Sequence, residues 1–158
     1  MKPSTSLRND IILFTILISQ EAFKYFLAQR LDGGTKMYIG HIDDTPEKEV
    51  PNAKETTIRW LISPKVGAKN FAMRYFVIKK GGEIPIHQHD WEHEIFVVKG
   101  EGYLTKDGKN WFKVVPGSYI YIPPNEPHGY KNEDSESFEF ICIIPAKKEA
   151  IPEDEWAE

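Results

Sequence analysis

The sequence predicts an all-β domain, a sandwich or small barrel of short antiparallel strands. From Thr56 onward, short runs rich in Ile, Val, Phe and Tyr alternate with Gly, Pro, Asp and Asn punctuation. Nothing between Lys54 and Pro145 has the period and length of an ordinary helix. The chain has 158 residues and is 41% hydrophobic, which is enough to bury one domain's core and too apolar for a disordered chain.

Residues 1–36 differ from the rest and read as an N-terminal arm. Asn9-Asp10 is a plausible helix cap, IILFTILISQEAFKYFLAQRL a helical body, and Gly33-Gly34 a stop. Its apolar run, residues 11–18, is broken by Glu21 and Lys24 soon afterwards. A membrane span needs about 20 apolar residues, so no membrane partner is expected. The basic start lacks a small-residue cleavage site, so a secretory role is not expected either. Met37 is a second possible start, and residues 37–148 form the expected barrel. Its strands are predicted at 57–62, 71–78, 93–98, 102–105, 111–115, 118–122 and 138–144. Lys106-Asp107-Gly108-Lys109 reads as a tight hairpin, because Asp-Gly tolerates the positive φ of such turns. Gly81-Gly82, Gly100 and Pro116-Gly117 read as chain reversals. Residues 149–158 read as a charged C-terminal tail, solvated or forming a short helical turn.

Lys and Arg number 20 against 24 Asp and Glu, a net charge of −4. A protein that coats nucleic acid or anionic lipid needs a basic footprint, and this one has none. The single cysteine, Cys142, excludes a disulfide-built scaffold, so the expected location is cytoplasmic. There is no Ser-His-Asp order, phosphate-cradling Gly-rich loop or CxxC pair.

Histidine placement carries the chemistry. His87 and His89 sit two apart, so on a strand both rings project from one face. Counting back from the turn at Gly100, Val97, Ile95 and His93 share a face, which points His93 inward and Glu94 outward. His128 follows a Pro-rich turn, IPPNEP, suited to starting another strand. Three same-face histidines and a fourth from a distant strand suit a divalent first-row transition metal. His41 reads as an ordinary packed or solvated residue.

Gly81, five residues, His87-x-His89, three residues, His93, six residues and Gly100 resemble the first sequence motif of the cupin superfamily. Gly117, five residues, Pro123-x-Asn125, two residues, His128, three residues and Asn132 resemble the second. The resemblance implies a cupin-type jelly-roll β-barrel over residues 37–148. Two positions depart from the pattern: His93 stands where a glutamate ligand is usual, and Asn125 replaces a glycine. Glu94 fits a looser spacing for that ligand, but it leaves five residues to Gly100 and its parity is wrong. The run HQHDWEHEIFVVKG is similar to small single-domain cupins with four histidine ligands and bound manganese, many of which carry Pro in place of Asp90. That likeness implies a metal held by His87, His89, His93 and His128, manganese first and iron next.

Four neutral ligands leave both positive charges of a divalent ion uncompensated, which favours anions and acidifies bound water. Two octahedral positions remain for water, oxygen or a chelating substrate. The expected function is a manganese- or iron-dependent oxidoreductase of the dioxygenase type, acting on a small enolisable or aromatic molecule. The alternatives are a metal-dependent sugar isomerase or epimerase, weakened by the lack of a general base beside the ligands, and a non-catalytic small-molecule binding module. Phe140 and Cys142 lie on the uncharged face of 138–144 and are expected to line the cavity, with Trp91 at its rim. Parity leaves open whether Tyr119 and Tyr121 or Ile120 and Ile122 face inward. Arg74, within 71–78, could meet an anionic substrate, but the favoured expectation is the solvent side of an edge strand. Phe96, Val98, Ile141 and Ile143 leave the outer face apolar, which calls for a homodimer.

Overall fold

Period-two burial sets each long strand. The computed structural model describes residues 37–156; the expected arm at 1–36 lies outside them. In β2 (Lys54–Ile62), Thr56, Ile58 and Trp60 are buried while their neighbours face out. In β3 (Phe71–His87), Ala72, Arg74, Phe76 and Ile78 point inward. In β9 (Ser137–Pro145), Phe138, Phe140, Cys142 and Ile144 do the same. The remaining strands are β1 (Lys48–Glu49), β4 (His93–Lys99), β5 (Gly102–Thr105), β6 (Trp111–Val114), β7 (Tyr119–Ile122) and β8 (His128–Lys131). Every pairing is antiparallel, in the order β6-β5-β8-β3-β9-β4-β7, with β2 joining β1 to β3.

β3 belongs to both layers. Its first half pairs β2 and β9, with Tyr75 opposite Arg59 and Ile141. Its second half pairs β8, with Glu83 opposite Lys131 and His87 opposite His128. The sheet therefore curls over itself into the jelly-roll barrel. The bend falls at Gly81-Gly82, expected as a reversal; the strand instead continues through it to His87. Gly81 has φ +75°, open to glycine at no steric cost, and its N–H donates to the Asn132 carbonyl at 2.8 Å. Asn132 N–H donates back to the Gly82 carbonyl at 3.0 Å. Paired backbone groups on both sides keep the bend inside the ladder.

The core fills the space between the layers. Phe76 stacks on Phe140 with centroids 5.1 Å apart, and Tyr130 stacks on Phe140 at 5.3 Å. Fully burying such a ring contributes roughly 1.5–3 kcal/mol. Ile122 is buried and Ile120 partly so, while Tyr119 and Tyr121 are exposed, which answers the parity question on β7. The 106–109 hairpin joins β5 to β6, with Gly108 at φ +71° and the Asp107 carboxylate accepting from the Lys109 and Asn110 N–H groups. The charged end is not simply solvated. Ile151 is buried, the turn Glu153–Glu155 carries a buried Glu155, and Lys48 Nζ donates to Asp154 (2.5 Å) and Glu155 (2.8 Å). An apolar residue two places before the acidic turn, with a lysine opposite, docks this segment.

Candidate metal centre

Four histidines converge at one end of the barrel, with His87 exposed, His89 half-buried and the other two in the interior. His87 ends β3, His128 begins β8 directly opposite it, His93 begins β4, and His89 sits in the loop between β3 and β4. Ring centroids lie 4.3 Å apart for His87 and His128, 4.5 Å for His89 and His93, 4.9 Å for His93 and His128, and 5.0 Å for His89 and His128. His93 and His128 are buried, and Glu94 faces out, as its parity requires. Asn125 adopts φ +65°, a left-handed conformation that asparagine tolerates better than most residues, so it can stand in a glycine's place. Its N–H donates to the His89 carbonyl at 2.7 Å, tying the loop that carries His89 to the turn that precedes His128.

Three of the rings are locked in one tautomer. His87 Nδ1 donates to the Pro85 carbonyl (2.8 Å), His89 Nδ1 to the Trp91 carbonyl (2.9 Å) and His128 Nδ1 to the Glu126 carbonyl (2.8 Å). A carbonyl oxygen only accepts, so each Nδ1 carries the proton and each Nε2 presents a lone pair. These three histidines offer nitrogens that all lie within 4.8 Å of one another, the spacing of ligands around a shared ion. His93 is not in that tight set. Both of its ring nitrogens are buried without a hydrogen-bond partner, as is Nε2 of His128. Buried imidazole nitrogens are expensive to leave unpaired, and neutral nitrogen donors are what a first-row divalent cation takes, so the residues fit such an ion. Burial lowers the His128 pKa to about 4. It drives that of His93 lower still, with the Arg74 charge adding to the effect, and it also lowers His89. At neutral pH these rings are uncharged, the form that ligates. His41 is exposed, accepts from the Asp43 N–H and takes no part.

A cavity of about 410 Å³ adjoins the histidines, within the range of small-molecule sites. Its lining includes His87, His89 and His93, with Trp91, Phe140 and Cys142. The remaining wall is largely apolar, and Asp154 of the C-terminal turn reaches it. Trp91 stacks flat on His89. Arg74 also lines the cavity and is only 8% exposed, which corrects the expected solvent-side position. The expectation failed because β3 is central: with β2 on one side and β9 on the other, the face that carries Ala72, Phe76 and Ile78 carries Arg74 inward with them. No signal in the sequence separates this arginine from a solvated one.

A model of the cupin domain family matches residues 74–144. The polyketide cyclase RemF from Streptomyces resistomycificus superposes with a TM-score of 0.67 at 36% identity, covering 71% of this chain and 81% of that one. The chain belongs to the cupin superfamily. This cupin is also 31% identical over 88 residues to an uncharacterised protein of Methanocaldococcus jannaschii, covering 54% of this chain and 69% of the relative. It is 34% identical over 88 residues to the (S)-ureidoglycine aminohydrolase of Arabidopsis thaliana, of which it spans 29%. Its named relatives include enzymes of different reaction types. No helix among the described residues is long and apolar enough to cross a membrane.

Proposed function

We propose that this cupin is a metal-dependent enzyme acting on a small enolisable or aromatic molecule, with His87, His89, His93 and His128 holding the ion. One observation carries the reading: three Nδ1–carbonyl hydrogen bonds leave three Nε2 lone pairs free, on rings whose nitrogens lie within 4.8 Å of one another beside an apolar cavity. A bound divalent ion there supplies Lewis acidity toward an enol or carbonyl oxygen, and with manganese or iron access to oxygen chemistry. The protein's own contribution is orientation. Backbone carbonyls hold the three rings, His93 completes the set from β4, and Trp60, Phe76 and Phe140 wall the substrate's apolar body.

Dioxygenase-type oxidation is the first reading of the reaction. Non-oxidative ring closure of an enolisable chain is the second, favoured by the 36% identity to a polyketide cyclase. Oxygen uptake by protein loaded with manganese or iron, against enols, diketones, flavonols and catechols, separates them. Uptake supports oxidation, substrate loss without uptake supports ring closure, and silence across the panel leaves a binding module. Elemental analysis of untagged protein is expected to find close to one transition metal per chain, manganese before iron. An empty site after growth in metal-rich medium overturns both enzymatic readings.

A second copy of the chain is proposed to cover the outer face of β4, β7 and β9. Phe96 and Tyr119 are exposed opposite each other there, beside half-buried Ile141 and Ile143. Sedimentation is expected to return twice the 18.2 kDa chain mass, and Phe96→Glu to return one chain.

A further inference from the structure

The cavity holds a buried cation. Arg74 is 92% buried, and among the described residues no carboxylate lies within ion-pair distance of its guanidinium. Its Nη2 donates to Cys142 Sγ at 2.9 Å, and its Nε has no partner. The guanidinium carbon sits 5.1 Å from the Phe76 ring centroid and 5.6 Å from that of Trp60. Cys142 does not supply the missing charge, because complete burial pushes its thiol above the ordinary range and keeps it neutral. The acidic side chains on the cavity lining, Glu49 and Asp154, are exposed at its surface end, and Asp154 already pairs with Lys48. Burying a charge without a counter-ion is unfavourable, and ring faces offset only part of it. A guanidinium with a free N–H edge, aimed into a cavity of ligand size, has the chemistry of an anion receptor.

The geometry points to Arg74 as the recognition residue for a carboxylate or enolate carried on an aromatic body, held in the cavity between the guanidinium and the histidine cluster. The aromatic body follows from the wall: Trp60, Phe76, Tyr130 and Phe140 offer ring faces and few hydrogen-bonding groups. The orientation follows from the strands. Arg74 pairs with Cys142, and Cys142 pairs with Ile95, two residues beyond His93 on β4. The charged group is thus received on the histidine side of the cavity, with the Trp60 and Phe76 rings beside the guanidinium and Tyr130 5.9 Å from His128. This assignment rests on reading the cavity as the substrate site, and it names the substrate's charge.

The test is calorimetric and uses matched pairs, 1-naphthoate with 1-naphthamide and phenylacetate with phenylacetamide, at pH 7.5. Full-length protein is titrated both after EDTA dialysis and after manganese loading. Metal-free wild type is expected to bind at least one acid about tenfold or more tighter than its amide, as a charge-assisted hydrogen bond to arginine requires. Arg74→Gln should abolish that preference, and Arg74→Lys should keep part of it. Protection of Arg74 from phenylglyoxal by the acid and not by the amide, read by peptide mass spectrometry, gives a second result on wild type if a variant fails to fold. Equal binding of acid and amide, absence of binding by both acids in either form, or a preference unchanged in Arg74→Gln each overturns the assignment. Acid preference in a protein that never retains metal would uphold Arg74 and sink the metal-enzyme reading. Tight manganese without acid preference would do the reverse.

Discussion

The imidazole of His89 lies flat against the indole of Trp91, planes 2° apart and centroids 4.0 Å apart, while its Nδ1 donates to the Trp91 carbonyl. One neighbour therefore sets both the ring's plane and its tautomer. His89 needs this support because it stands in a loop, with no strand partner of its own to hold it.

Trp91→Ala keeps the backbone acceptor and removes the stacking surface. Manganese affinity, measured by competition with a chromophoric chelator, is expected to fall about 10–100-fold, as for other residues that orient a ligand from behind. Trp91→Phe is expected to recover most of it. Equal affinity in wild type and Trp91→Ala would show that the backbone bond alone holds the ring.

His93 separates stability from function. Its two unpartnered nitrogens sit in a 5% exposed side chain, an arrangement that folding alone does not favour. His93→Leu is expected to stabilise the metal-free protein by roughly 1–3 kcal/mol in urea unfolding, because an unsatisfied polar group gives way to an apolar one of similar size. The same change should reduce metal affinity by more than Trp91→Ala does. His128→Ala should do likewise, while His41→Ala should leave affinity unchanged. Tight metal binding by His93→Leu would leave a three-histidine site of His87, His89 and His128.

Asn132 holds the bend on which the site depends. It is 1% exposed; its Nδ2 donates to the Ile78 carbonyl (2.8 Å) and the Ser135 carbonyl (3.0 Å), and its Oδ1 accepts from the Ser135 N–H (3.1 Å). Asn132→Ala strands those backbone groups in the interior. A loss of roughly 1–3 kcal/mol is expected in chemical unfolding. Because His87 and His128 face each other across the β3–β8 ladder that the bend starts, metal affinity should fall too. A stable variant with unaltered affinity would show the bend to be held by Gly81 and the ladder alone.

Local alternation made the strands legible wherever they bury one face, as at β4, where parity separates His93 from Glu94. It was silent where a strand is too short to alternate, as in β1 and β8. It misread Gly81-Gly82, since paired glycines mark a reversal and an in-strand bend with the same letters, and only the ladder to β8 tells them apart. Histidine spacing pointed to the site because period two and the Pro-rich turn act within a few residues of each ring. Arg74 was illegible for the opposite reason: its burial depends on β9, which pairs with β3 from 68 residues further along the chain at Cys142.

In the metal-free protein the His128 pKa falls from 6.5 in the unfolded chain to about 4 in the folded one, chiefly through burial. Between those values the unfolded chain binds a proton that the folded chain refuses, so stability rises with pH across that window. The full stability is present above about pH 6.5 and is lost progressively down to about pH 4. For His128 alone the change is about 3 kcal/mol, at 1.36 kcal/mol per unit. His93 and His89 are shifted in the same direction and deepen the loss. Urea midpoints of EDTA-treated protein are therefore expected to drop steeply from pH 7 to pH 4.5. Saturating manganese should raise the upper end of the curve most, because a ligand that binds only the folded state adds stability where its histidines are neutral and must compete with protons below. His128→Gln removes one titrating group and should flatten the metal-free profile. A profile equally steep in that variant would assign the acid sensitivity to groups outside the cluster.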